Sequence, residues 1–107
     1  MIKVTIWKKN KNILGYDIVG HADFSEYGSD IVCSAVSALA TTCINAFEEI
    51  LNFKQIEYTL QEGKINFKLN DNFSDEGAQL LLKSLDLGLR SIYQSYEDNI
   101  AIFYKEV

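Results

Sequence analysis

The sequence predicts an α+β domain in which two helices pack on one mixed five-stranded sheet. Three observations support this fold class. Apolar and polar residues alternate over residues 2–19 and again over residues 55–70, which is the period of a half-buried strand. Two longer stretches, 30–53 and 72–96, show helical spacing and are rich in Ala and Leu. The resulting order is ββαββαβ, with no linker or repeat.

The chain has 107 residues, so we expect a single domain over residues 1–107. Hydrophobic residues make up 48% of it and charged residues 23%, as in globular proteins. The longest apolar run is far shorter than the roughly 20 residues of a membrane span. The N-terminus also lacks the layout of a secretory signal. We therefore expect a cytoplasmic protein without a membrane partner.

Residues 1–20 predict a first hairpin. Ile2, Val4 and Ile6 share one face of the first strand, and the segment KNKN at 9–12 supplies the turn. The extended pattern then resumes through Tyr16 and Ile18.

The segment 30–53, DIVCSAVSALATTCINAFEEILNF, predicts a helix of about six turns with Ser29 or Asp30 as its N-cap. Its small residues would let the sheet or a second subunit approach closely. They are Ser34, Ala35, Ala38, Ala40, Thr41 and Thr42.

The segment 55–70 predicts a second hairpin with Glu62 and Gly63 in a two-residue turn. This turn fixes a register that places six apolar side chains on one face of the hairpin. The expected cross-strand pairs are Leu60 with Ile65, Tyr58 with Phe67, and Ile56 with Leu69.

The second helix is expected to follow Ser74 or Asp75 as its N-cap. A last strand is expected over residues 99–104. The sequence leaves the order of the strands in the sheet open. The apolar stripe of the second helix, predicted to face the sheet, is Ala78, Leu81, Leu82, Leu85, Leu89, Ile92 and Tyr96.

The formal net charge is -5, and no run of Lys or Arg resembles a phosphate-binding stripe. The sequence therefore disfavours direct binding of nucleic acid. An acidic surface favours encounters with basic partners, although it also serves solubility alone.

The two cysteines, Cys33 and Cys43, are both expected on the first helix, about 15 Å apart along its axis, so they cannot form a disulfide with each other. With Asp30 as N-cap, Cys33 lies in the first turn, where free backbone N–H groups stabilise a thiolate. The alternative is a structural thiol that packs as a small apolar group. Cys43 has no polar companions and is assigned to the core.

The only histidine, His21, follows the second strand, and a loop over residues 22–29 leads from it to the helix that carries Cys33. This arrangement can bring imidazole and thiol within hydrogen-bonding distance, as a base-activated nucleophile requires. Strand alternation alone would place His21 on the face of Asp17, so Gly20 has to redirect the chain. The alternative is an ordinary surface histidine.

Asp30 can cap the helix or orient His21, and Ser37, one helical turn after Cys33, can hold a thiolate or simply pack. His21, Cys33 and Asp23 are too sparse for a zinc site, and the chemistry requires no cofactor. The residues of the loop can contact a substrate or be solvated, and Gly28 permits a positive φ there. They are Ala22, Asp23, Phe24, Ser25, Glu26, Tyr27, Gly28 and Ser29.

The stretch GHADFSEYGSDIVCSAVS, residues 20–37, resembles the motif of the ribosomal-processing cysteine protease family, Prp. That motif is Gly-His-Ala, a loop with a glycine, then Asp-Ile-Val-Cys and a serine four residues later. The matching residues are Gly20, His21, Ala22, Gly28, Asp30, Ile31, Val32, Cys33 and Ser37.

The resemblance implies a homodimeric cytoplasmic endopeptidase of bacteria that acts in ribosome biogenesis. Its substrate would be the precursor of large-subunit ribosomal protein twenty-seven, from which it removes an N-terminal extension after an aromatic residue. Cys33 would be the nucleophile and His21 the general base, with the loop ordered over the substrate. Backbone N–H groups of the first helical turn would stabilise the oxyanion.

Two other functions stay open on the sequence. The chain could be a non-catalytic ribosome-assembly or binding module that recognises a basic segment and keeps its thiol for packing. It could also be a paralogous protease that acts on another precursor, such as a phage structural protein.

Overall fold

A computed structural model describes residues 1–20 and 27–107, and for residues 27–30 it describes the backbone alone. The predicted α+β fold and the order ββαββαβ are confirmed. The elements are β1 (Ile2–Lys9), β2 (Asn12–Val19), α1 (Tyr27–Glu49), β3 (Ile56–Gln61), β4 (Lys64–Leu69), α2 (Glu76–Ser95) and β5 (Ile100–Glu106).

The five strands form one mixed sheet in the order β3-β4-β2-β1-β5. β1 and β5 are parallel, and the other neighbouring strands are antiparallel. The β3–β4 hairpin therefore lies beside β2, and β3 forms one edge of the sheet. The strand order brings the end of β2 next to the β3–β4 turn.

The alternation predicted for β1 and β2 is confirmed, since Ile2, Val4, Ile6, Tyr16 and Ile18 are all buried. The register shifts where β1 passes from Trp7 to Lys8, which pair with Gly15 and Ile13. Leu14 is the extra residue of this β-bulge. The bulge keeps Ile13 on the buried face of the sheet.

The register predicted for the second hairpin is also confirmed, with Gln61 opposite Lys64 across the turn. Gly63 has a φ of +79°, a conformation that favours glycine. Ile65, Phe67 and Leu69 of β4 are buried, whereas their partners on β3 are more exposed because β3 lies at the edge.

The predicted beginning of the first helix is wrong. α1 begins at Tyr27, so Ser29 and Asp30 are helical residues and neither is the N-cap. Gly28 is likewise helical, and the loop predicted over 22–29 ends before Tyr27. An acidic residue is also favourable inside the first turn, because the positive end of the helix dipole attracts it there.

One face of α1 packs against the sheet. Its buried residues are Val32, Val36, Ala40, Cys43, Ile44, Ala46 and Phe47. The hydroxyl of Tyr16 on β2 donates a hydrogen bond to the carbonyl oxygen of Ala40 at 2.9 Å. By length and composition, the segment Ile31–Glu49 could also cross a membrane, but its apolar face is a core face of this fold.

The second helix follows its prediction. Asp75 is the N-cap, and its carboxylate accepts a hydrogen bond from the N–H of Ala78 at 2.9 Å. The buried side chain of Gln79 forms hydrogen bonds with both the N–H and the carbonyl oxygen of Ile13, so it joins α2 to β2. The predicted stripe is buried or partly buried, with Ala78, Leu82, Leu85 and Leu89 in the core.

Candidate active site

A cleft of about 170 Å³ opens beside the N-terminal half of α1. It lies between α1, the end of β2 and the β3–β4 turn. Half-buried Cys33 borders it, and so does Ser37 one turn further along the helix. The other lining residues are Ile2, Ile18, Gly20, Val36, Gln61, Glu62, Gly63, Lys64 and Ile65.

Cys33 is the seventh residue of α1, counted from Tyr27, and not a residue of the first turn as predicted. Backbone N–H groups this far into a helix bond to carbonyl groups of the preceding turn. The free N–H groups of the first turn therefore do not lie beside the thiol of Cys33. The prediction that they act as oxyanion donors next to Cys33 assumed that this residue belongs to the first turn. Cys33 and Ser37 share one helical face, as predicted, and both line the cleft.

Gly20 is the last described residue before His21, and its backbone is unusual. Its φ is +107°, and a Cβ atom there would lie 2.5 Å from the carbonyl oxygen of Met1. The Gly20 N–H donates a hydrogen bond to the carbonyl oxygen of Gly63 at 3.0 Å. The bond to Gly63 fixes the backbone of Gly20 against the hairpin turn. The change of chain direction predicted at Gly20 stays a prediction, because His21 lies outside the described residues.

Several predicted site residues fall outside this description. His21, Ala22, Asp23, Phe24, Ser25 and Glu26 lie outside the described residues. The backbone of residues 27–30 belongs to α1, and their side chains are also outside the description. The structure brings together Gly20, Cys33 and Ser37. The pairing of Cys33 with His21 and the orientation of His21 by Asp30 stay predictions.

The sequence reasoning missed the β3–β4 turn as a wall of the cleft. The hairpin register places Glu62 and Gly63 in the turn, but it does not tell which strand the hairpin pairs with. That information comes from the register between β2 and β4, in which Val19 lies opposite Lys64. The backbone bond between Gly20 and Gly63 continues this ladder past the end of β2.

Cys43 lies in the core, as predicted, with only 6% of its surface exposed. Its Sγ lies 4.0 Å from the carbonyl oxygen of Leu81 on α2. Burial raises the pKa of the Cys43 thiol to about 12, against a smaller opposing effect of the neighbouring Tyr16 hydroxyl. Burial likewise raises the pKa of the Tyr16 phenol. Both groups are therefore neutral at physiological pH.

Among the described side chains, those of residues 1–20 and 31–107, no cluster of three His, Cys, Asp or Glu residues could hold a metal ion.

The sequence matches the family model of the cysteine protease Prp over residues 1–101. This chain belongs to the Prp family of cysteine proteases. A ribosomal processing cysteine protease Prp from Bacillus subtilis (strain 168) is 31% identical over 107 residues, which cover 95% of this chain and 96% of that protein. The protein of the same name from Staphylococcus aureus (strain Mu50) is 37% identical over 87 residues, covering 80% and 81%.

Solved structures agree with this assignment. The essential ribosomal processing protease Prp from S. aureus, crystallised with a substrate peptide, has a TM-score of 0.86 and 29% identity, covering 98% of this chain and 100% of that one. SMU.848 from Streptococcus mutans has a TM-score of 0.84 and 27% identity, covering 100% and 96%. The family expected from residues 20–37 is confirmed, and the chain is a cysteine protease.

Proposed function

We propose that this protease removes the N-terminal extension of the bacterial large-subunit ribosomal protein twenty-seven, with Cys33 as nucleophile and His21 as general base. The observation that carries the proposal is the position of Cys33. Its half-buried thiol borders a cleft that is also lined by Gly20, the residue directly before His21. A thiol and the departure point of the only imidazole therefore lie at one cleft.

In the reaction, the imidazole of His21 accepts the proton of the Cys33 thiol, and the thiolate attacks the scissile carbonyl carbon. The C–N bond then breaks, and the imidazolium donates its proton to the leaving amine. Water, deprotonated by the same imidazole, hydrolyses the thioester and regenerates the thiol.

The remaining predicted residues support this centre. Ser37 lies beside Cys33 at the cleft and can donate a hydrogen bond to the substrate. Asp30 can orient the imidazole, since α1 begins before it and no longer needs it as a cap. The loop before α1 would then cover the bound segment. Gly20 would position His21, because its backbone is held by Gly63.

The proposal includes a cytoplasmic location and a homodimer. A net charge of -5 favours encounters with basic ribosomal proteins at low ionic strength. The exposed side of α1 carries small residues such as Ser34, Ala38 and Thr42, which permit the close approach of a second copy.

The proposal is tested by incubating the protein with the extended and mature forms of the ribosomal protein and measuring the products by mass spectrometry. We expect one cut in the extended form and none in the mature form. Cys33→Ala should lower the rate by about three orders of magnitude or more, and the matched control Cys43→Ala should cleave normally. Full activity of Cys33→Ala would refute the proposal, and saturable binding without cleavage would indicate a binding module.

A further inference from the structure

Beyond the cleft, the edge strand β3 carries two exposed apolar side chains, Leu60 and Tyr58, on the face of the sheet that carries the helices. We call the surface formed by these side chains and the side of α1 with Ser37, Thr41 and Glu48 the edge groove. Ser37 lines the cleft at one end. At the other end, the Tyr58 hydroxyl donates hydrogen bonds to the Glu48 carboxylate at 3.2 and 3.3 Å. The groove thus follows α1 away from the thiol.

The floor of the edge groove is apolar and open. Leu60 and Tyr58 pair with Ile65 and Phe67, so all four side chains are on the face of the sheet that carries the helices. Ile65 and Phe67 are 8% and 0% exposed, whereas Leu60 and Tyr58 are 41% and 42% exposed. The helix layer covers β4 but leaves the neighbouring strand β3 uncovered.

The backbone of β3 is also available. The carbonyl oxygen of Gln55 accepts a hydrogen bond from the N–H of Asn70 at 2.9 Å, so Gln55 points its polar backbone groups towards β4. Successive residues of an antiparallel strand alternate in this respect. Tyr58 and Leu60 therefore direct their N–H and carbonyl groups outward, where an extended peptide can pair with them.

The acidic residues at the two ends of the groove favour a basic ligand. Glu62 lies in the turn at the cleft and Glu48 lies at the far end, and both are exposed. The nearby Lys64 pairs with Val19, so its side chain points to the opposite face of the sheet. A basic peptide with apolar residues fits this surface, whereas a second copy of β3 would bring its own Glu62 and Glu57 against it.

Resting on the proposed function, we infer that the edge groove binds an extended, basic and apolar segment of the substrate as an added strand beside β3. Cys33 and Glu48 are fifteen residues apart on α1, which corresponds to about 22 Å. An extended peptide rises about 3.3 Å per residue, so the groove holds roughly six residues on one side of the scissile bond.

The test is the cleavage kinetics of Leu60→Lys with a peptide that spans the junction of the extension. The new ammonium group repels a basic substrate and removes an apolar contact, so KM should rise about tenfold, equivalent to about 1.4 kcal/mol. The value of kcat should stay within about twofold, because Leu60 does not line the cleft beside the thiol. Leu80→Lys is the matched control, since Leu80 is an exposed leucine of α2, and its KM should not change.

A second readout concerns the added strand itself. Peptides that are N-methylated at alternate positions lose every second backbone donor, and the two alternate series should differ in KM by about tenfold if one series faces β3. Equal KM values for the two series would contradict strand addition. This measurement uses the unmodified protein, so it does not depend on the folding of a variant.

The outcomes separate the groove from the proposed function. Normal cleavage with unchanged KM in Leu60→Lys would overturn the edge groove alone. If the wild-type chain does not cleave the peptide, the proposed function fails, and calorimetric binding of the peptide to Cys33→Ala then decides the groove. If the peptide binds Cys33→Ala and the added substitution Leu60→Lys weakens this binding, the edge groove is supported. If the peptide does not bind, the edge groove is overturned. A dimer that sediments as a monomer only in Leu60→Lys would assign the groove to a second copy and overturn the inference.

Discussion

Helix α1 carries two cysteines in very different surroundings. Cys33 is half-buried and borders a cleft formed with the end of β2 and the β3–β4 turn. Cys43, ten residues further along, is 6% exposed and packs against α2. Both residues are free thiols on the same regular helix, so helix position alone does not distinguish them.

The difference lies in the elements that face each thiol. Near Cys43, α1 and α2 are close enough that a Cβ atom on Gly88 would lie 2.9 Å from a methyl group of Leu39. Near Cys33 the neighbouring elements are the ends of strands, which leave a space at the edge of the core. Tertiary packing thus turns one thiol into a core atom and leaves the other accessible for chemistry.

The largest expected difference between Cys33 and Cys43 is in their rates of alkylation. Burial raises the pKa of Cys43 from 9.0 to about 12, which lowers its thiolate fraction about a thousandfold at neutral pH. We expect iodoacetamide to modify Cys33 in the folded protein while Cys43 reacts at least about a hundredfold more slowly. Peptide mapping by mass spectrometry measures both rates. In denaturant the two cysteines should be alkylated at equal rates, which is the control. Equal alkylation rates in the folded protein would contradict the prediction.

The next effect concerns the backbone at the cleft. Gly20→Ala places a Cβ atom against the Met1 carbonyl oxygen at a φ of +107°, so the departure of His21 from the strand should shift. We expect the cleavage rate to fall about a hundredfold, mainly through kcat. Gly88→Ala is the control, because it strains the contact of α1 with α2 away from the cleft. If both variants lose activity in proportion to their thermal stability, Gly20 has no positioning role.

A smaller effect is expected from Cys43→Ala. The substitution removes one buried heavy atom and leaves a small cavity, which should lower the free energy of unfolding by about 1 kcal/mol. Cleavage should be unaffected, because Cys43 does not border the cleft. Urea denaturation measures the stability, and the cleavage assay is run on the same preparation. A loss of activity without a loss of stability would mean that the two regions are coupled.

The smallest effect is the dependence of stability on alkaline pH. The folded-state pKa of Cys43 lies above its unfolded value of 9.0, near 12. The buried neutral thiol therefore stabilises the fold fully below pH 9 and progressively less as the pH rises towards 12. Between pH 9 and 10 this group should remove about 1 kcal/mol of stability. The loss should be smaller in Cys43→Ala, and parallel pH curves for the two proteins would contradict the assignment.

Much of the fold followed from local patterns. The register of the β3–β4 hairpin was predictable because a two-residue turn at Glu62 and Gly63 permits only one pairing that keeps the apolar residues together. The stripe of α2 and its cap at Asp75 followed from helical spacing and capping chemistry. Each of these features depends on residues close together in the chain.

The beginning of α1 was predicted wrongly for a related reason. Ser29 and Asp30 are common caps, but they are also acceptable within a first turn, so the sequence located the helix start only to within about one turn. The prediction that Cys33 lies in the first turn is wrong for the same reason, because it depended on a helix that begins near Asp30. Its place at a cleft did not depend on that position, because the cleft is formed by other elements.

By itself, the sequence determined the element types, the register of the β3–β4 hairpin, the burial of Cys43 and, through residues 20–37, the protease family. Only the tertiary structure decided that β4 pairs with β2 and that Gly63 holds Gly20. It also decided that Leu60 and Tyr58 lie exposed beside α1. The physical reason is the sequence separation of the residues that interact. Periodicity and turn chemistry act between near neighbours in the chain, whereas the order of the strands depends on how all the apolar faces are buried together.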